Sequence, residues 1–98
     1  MKTFNDFNST TICNNYIIKE DVKCSDDIYV ENSMIFLGNL ITEASITAKY
    51  DCVVLGNISA SEISIDGRLI CLGNIETKDI EVNGEFKCFN NVILDEGV

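Results

Sequence analysis

The side chains equipped for chemistry in this chain are sixteen carboxylates and five cysteines, set against seven lysines and arginines and no histidine. Paired carboxylates can cleave glycosides, but only where a cleft raises the pKa of one of them. Without histidine, the commonest general base and the commonest metal ligand are both missing. No Asp-x-Asp-x-Asp-Gly run gathers calcium ligands, and no Cys-x-x-Cys pair suggests zinc or redox work. Cys13 has neither a histidine nor a basic side chain beside it to make it a nucleophile. These residue types predict a protein that is not an enzyme and that uses no metal or cofactor.

What must position these groups is a repeat. Leu37-Gly38-Asn39-Leu40, Leu55-Gly56-Asn57-Ile58, Leu72-Gly73-Asn74-Ile75 and the degenerate Phe89-Asn90-Asn91-Val92 recur at spacings of 18, 17 and 17. Aligned on the glycine, every second position falls into a column. The columns are Ile28, Ile46, Ile63, Ile80; Val30, Ala48, Ile65, Val82; Asn32, Tyr50, Gly67, Gly84; Met34, Cys52, Leu69, Phe86; Phe36, Val54, Cys71, Cys88; Leu40, Ile58, Ile75, Val92; and Thr42, Ala60, Thr77, Leu94. Apolar residues do not recur at i+3 and i+4, which excludes an amphipathic helix. Unbroken alternation within a unit of constant length fits one turn of a β-helix, whose coils bury their inward faces against each other.

The predicted fold is therefore all-β, a single-stranded β-helix of five coils of 17–18 residues at about 10–27, 28–45, 46–62, 63–79 and 80–94. Carrying the frame back 18 residues puts Ile12, Asn14, Tyr16, Ile18, Val22 and Cys24 at the inward positions of the first coil. Residues 1–9 form an N-terminal cap or arm, and residues 10–98 form the β-helix domain. Cys24, Cys52, Cys71 and Cys88 fall inward and act as small hydrophobic residues; Cys13 points outward. The odd cysteine count argues against a disulfide framework, and Met1–Asp6 lacks the apolar core of a signal peptide. A cytoplasmic protein with reduced thiols and no membrane span is expected.

The stretch from Cys52 to Cys88, with Gly-Asn-Ile elements and the runs Ile63-Ser64-Ile65-Asp66-Gly67 and Ile80-Glu81-Val82-Asn83-Gly84, resembles the bactofilins, polymer-forming bacterial cytoskeletal proteins. At the level of the repeat, the resemblance covers residues 12–94. It implies a right-handed β-helix of triangular section that polymerises end to end without nucleotide, and it brings no catalytic residues. The chain has fewer coils than that family.

Three outward features bear on function. Ile35, Leu37, Val53, Leu55, Ile70, Leu72 and Phe89 make an apolar stripe, which either is covered within the molecule, for instance by the segment holding Phe4 and Phe7, or meets another subunit or partner. Phe86, Val92 and Leu94 of the last coil form an open end that can meet a second copy. Asp26, Asp27, Glu43, Glu62, Asp66, Asp79, Glu81 and Glu85, adjoined by Glu31, stack into an acidic surface, and the net charge of −9 repels nucleic acid and anionic membranes while attracting a basic protein. Asn39, Asn57, Asn74 and Asn91 form a corner column, read as an amide ladder or a string of left-handed turn residues. Two functions fit: a scaffold that assembles with itself, and an acidic decoy of the anti-CRISPR or anti-restriction kind that occupies the basic groove of a nucleic-acid enzyme.

Overall fold

The structure is a computed structural model that describes residues 2–3, 10–12 and 15–94. Lys2–Thr3 (β1), Thr10–Ile12 (β2), Asn15–Ile18 (β3) and Val22–Cys24 (β4) form the N-terminal end. Each of the next four coils then contributes three short strands. They are Ile28–Val30, Met34–Phe36 and Leu40–Thr42 (β5 to β7); Ser45–Ala48, Cys52–Val54 and Ile58–Ser59 (β8 to β10); Glu62–Ile65, Leu69–Cys71 and Ile75–Thr77 (β11 to β13); and Asp79–Val82, Phe86–Cys88 and Val92–Leu94 (β14 to β16).

These strands stack into three sheets, ordered β1-β5-β8-β11-β14, β2-β3-β6-β9-β12-β15 and β4-β7-β10-β13-β16. Among the described residues all pairings are parallel except β2 with β3, as a solenoid requires. The expected columns hold: Ile28, Ile46, Ile63 and Ile80 pair in succession, as do Phe36, Val54, Cys71 and Cys88. Alternation puts Ile, Val, Leu and Phe inside, where β-branched chains pack well on a pleated surface. The resulting core includes Ile28, Phe36, Leu40, Ile58, Leu69 and Ile75, each with no exposed surface or almost none.

Three sequence expectations are corrected. Ile12 does not continue the column of Val30: β2 folds back against β3, with Ile12 opposite Asn15 and Thr10 opposite Ile17, and β1 takes the rung beneath β5. The frame does hold from Tyr16 to Cys24, which pair in backbone register with Met34 to Thr42. Second, the column of Asn32, Tyr50, Gly67 and Gly84 is a corner and not an inward row, with Tyr50 52% exposed. The coils also begin one residue earlier than expected, since Ser45, Glu62 and Asp79 already pair with one another. The extra residue of the longer unit lies in the corner after Thr42, where Glu43 and Ala44 stand in place of a single Ser61 or Lys78. Residues 1, 4–9, 13–14 and 95–98, and with them Phe4, Phe7, Cys13 and Asn14, lie outside the described set.

Hydrogen bonds lock the corners. Asn57 N–H donates to Asn39 Oδ1 and Asn74 N–H to Asn57 Oδ1, both at 2.8 Å, and Asn91 N–H to Asn74 Oδ1 at 3.1 Å. The column is thus an amide ladder, and it starts one rung lower than the asparagines, on Asp21 Oδ1, which accepts from Asn39 N–H at 2.8 Å. Glycine is needed beside it for space: a Cβ at Gly73 would sit 2.4 Å from Asn57 Oδ1 and 2.5 Å from Gly56 O, and one at Gly56 would sit 2.5 Å from Asn39 Oδ1. At another corner the buried Thr42 hydroxyl donates to Asp26 O at 2.5 Å, and that of Thr77 lies 3.1 Å from Ser61 O and 3.0 Å from Asp79 O. Among the described residues no buried side-chain nitrogen or oxygen is left without a partner, so the polar inward positions carry no desolvation penalty of that kind.

Gly73→Ala should therefore cost about 1–3 kcal/mol in chemical denaturation, the cost of forcing a methyl into a filled space. Ser64→Ala on an outer face should stay within about 0.5 kcal/mol.

Candidate interaction surfaces

The carboxylates are arranged by the register. Asp27, Ser45, Glu62 and Asp79 share one outward column; Tyr29, Thr47, Ser64 and Glu81 share the next. Asp27 Oδ1 accepts from Ser45 N–H at 3.1 Å and from its hydroxyl at 2.8 Å, and these bonds hold the Asp27 carboxyl below its ordinary pKa. In the corner column Asp51, Arg68 and Glu85 follow one another, with Arg68 Nη2 2.9 Å from Asp51 Oδ2. The side-chain bond from Arg68, followed by the one from its backbone N–H, lowers the Asp51 pKa, and the side-chain bond and the negative charge of Asp51 raise that of Arg68. Lys87 Nζ lies 3.4 Å from Glu85 Oε2, and Asn83 Nδ2 donates to Asp66 Oδ1 at 2.9 Å. The expectation of like charges stacked rung upon rung is corrected: of the acids the sequence singled out, Glu62 and Asp79 stand on adjacent paired positions, while cations, hydroxyls or amides separate most others. Asp26, Glu43, Glu62, Asp66, Asp79, Glu81 and Glu85 are exposed, and Asp27 and Glu31 half-buried.

Cys52, Cys71 and Cys88 point into the stack. Cys52 and Cys71 are buried and Cys88 half-buried, all as free thiols, with Cys71 directly beneath Cys88. Burial pushes the Cys52 thiol up to about 12 and the Cys71 thiol to about 11. The Cys71 and Cys88 sulfurs lie 3.4 and 3.3 Å from the carbonyls of Gly56 and Gly73. Cys24 pairs with Thr42 through its backbone.

The apolar residues fall in two places. Leu37, Leu55, Leu72 and Phe89 are exposed along one corner, and Ile35, Val53 and Ile70 are half-buried on the adjoining face, where Lys87 ends their column. At the C-terminal end β14, β15 and β16 are each the last strand of their sheet, so one edge of each is unpaired among the described residues. Phe86 and Val92 are 40% exposed and Leu94 55%, although their columns are fully buried lower in the stack. Ile93 is also exposed on the outer side of β16, a feature the sequence reading passed over; its place 17 residues after Glu76 was the available signal.

The N-terminal end is built differently. The β2–β6 sheet reaches one rung below its neighbours, and that extra strand runs in reverse. A shallow, open depression of about 410 Å³ lies on the β4–β16 sheet, lined by Lys23, Ile41, Glu43, Ser59, Glu76 and Lys78 among others. Among the described residues no three His, Cys, Asp or Glu side chains group to hold a metal ion, and no helix is long and apolar enough to cross a membrane. No protein-family model, curated protein or solved structure matches the chain.

Peptide-mapped alkylation of the native protein at neutral pH should leave Cys52 and Cys71 unmodified and label Cys88 ahead of both; labelling of Cys52 without unfolding would contradict its burial. Asp27 and Asp51 have lowered pKa values in the fold, so what they contribute is complete above the ordinary carboxylate pKa of about 4 and is lost as pH falls through their folded values. Asp51→Asn should consequently lose less thermal stability on acidification than the unmodified chain, read from melting curves between about pH 6 and pH 2.

Proposed function

We propose that this chain is a non-enzymatic scaffold protein that associates with further copies of itself through the last coil of its solenoid. The observation that carries this reading is the C-terminal end. Three strand edges lie level there, and apolar side chains stand exposed at positions that are buried in the three rungs beneath. Such an end is a template for strand pairing, and solenoids whose ends stay soluble carry polar caps. The resemblance of the repeat to the bactofilins supports assembly in the same general sense. The acidic-decoy reading has weaker support, because Lys49 and Arg68 stand within the acid columns and interrupt a continuous negative track.

Light scattering over a concentration series should show a mass above the 10.9 kDa of a single chain. Leu94→Asp or Val92→Asp should return it to that of one chain, with the strand signal in circular dichroism unchanged. A single-chain mass at every concentration, or assembly that survives both substitutions, would sink the proposal.

A further inference from the structure

The two ends of the solenoid are not complementary, and this decides what the open coil can meet. To add a copy head to tail, β14, β15 and β16 would have to continue the parallel ladders at the other end. There β1 and β4 run in the stacking direction, but β2 runs against it and projects one rung further. One sheet in three would meet with the wrong polarity and the wrong height. Among the described residues the C-terminal end has no such step, since all three sheets finish on the same coil. Two such ends can meet about a two-fold axis perpendicular to the solenoid, and their strands then pair antiparallel.

Three placements of that axis keep inward residues opposite inward residues, and the outward charges distinguish them. An axis through β14 sets Glu81 on the second copy's Glu81, and one through β15 sets Lys87 on Lys87. Like charges directly opposite across antiparallel strands are destabilising. An axis through β16 sets Ile93 against Ile93, Val92 against Leu94, Val82 against Phe86 and Ile80 against Cys88. It also places Glu81 of each copy opposite Lys87 of the other. Glu81, Lys87 and Ile93 are all exposed, and the ion pair of Lys87 with Glu85 is itself on the surface, where a second carboxylate can join it.

We infer that the assembly is a closed, tail-to-tail pair of chains, centred on β16 and fixed in orientation by two reciprocal Glu81–Lys87 contacts. This rests on the self-association proposed above and adds that growth stops at two, because each pair presents only N-terminal ends to solution.

The test is sedimentation equilibrium of the full chain together with Glu81→Lys, Lys87→Glu and the double charge swap. Folding of each is checked by its melting curve. The unmodified chain should reach twice 10.9 kDa and no more. Each single substitution turns two attractive contacts into repulsive ones and should weaken the pair about tenfold or more, and the swap should restore it to within about twofold. Ile93→Cys should form a disulfide between copies under air oxidation with copper, whereas Ser64→Cys, one rung below the last coil and on a different sheet from β16, should not. Species larger than two, or a pair indifferent to the charge reversals, would overturn the closed arrangement while leaving self-association standing. A single-chain mass throughout would overturn both.

Discussion

The structure depends on one packing constraint: no coil can bury its own inward face, so each must be roofed and floored by coils in the same register. A slip of one residue would turn every inward isoleucine of a strand outward, so each strand must meet the one beneath it in the same register. Parallel strands stacked about 4.8 Å apart bring identical columns into contact, and those columns form the dry interior. The same constraint makes the first and last coils different from the rest, since each lacks one neighbour.

The corners hold the register that the faces require. Along one edge the side-chain oxygens of Asp21, Asn39, Asn57 and Asn74 each accept the backbone N–H of the rung above, and the glycines beside them let the rungs approach that closely. Where Asn90 replaces glycine in the last coil, the final ladder bond is 3.1 Å against 2.8 Å in the rungs below. Threonine hydroxyls perform a related task at another corner, reaching the carbonyls of Asp26 and Ser61 from inward positions. Polar residues in this solenoid thus set spacing, while apolar ones supply most of the burial.

Much of this was legible in the sequence because a period of 17 or 18 converts directly into neighbours. The columns of Ile46, Ile63 and Ile80, the inward cysteines and the exposed leucine ladder all follow from it. Asp21 stands 18 residues before Asn39, and Arg68 stands 17 after Asp51 and 17 before Glu85, so the foot of the ladder and the charge alternation were encoded in the same arithmetic. They were missed because the columns were read by residue type and not pair by pair. The reversal of β2 had no such signal: Ile12 fits the inward pattern, and nothing in periodicity separates a strand that continues a coil from one that folds back as a hairpin. Tyr50 was misplaced because alternation counts through a corner without showing that the chain turns there.

The stacking itself is tested most directly by methyl–methyl nuclear Overhauser contacts in protein labelled at isoleucine. The account predicts cross-peaks from Ile28 to Ile46, Ile46 to Ile63 and Ile63 to Ile80, with none between Ile46 and Ile80, which stand two rungs apart at about 9.6 Å. Contacts that skip this order, or an Ile63 with neither Ile46 nor Ile80 beside it, would contradict the coil register on which the fold, the interaction surfaces and the tail-to-tail pair all stand.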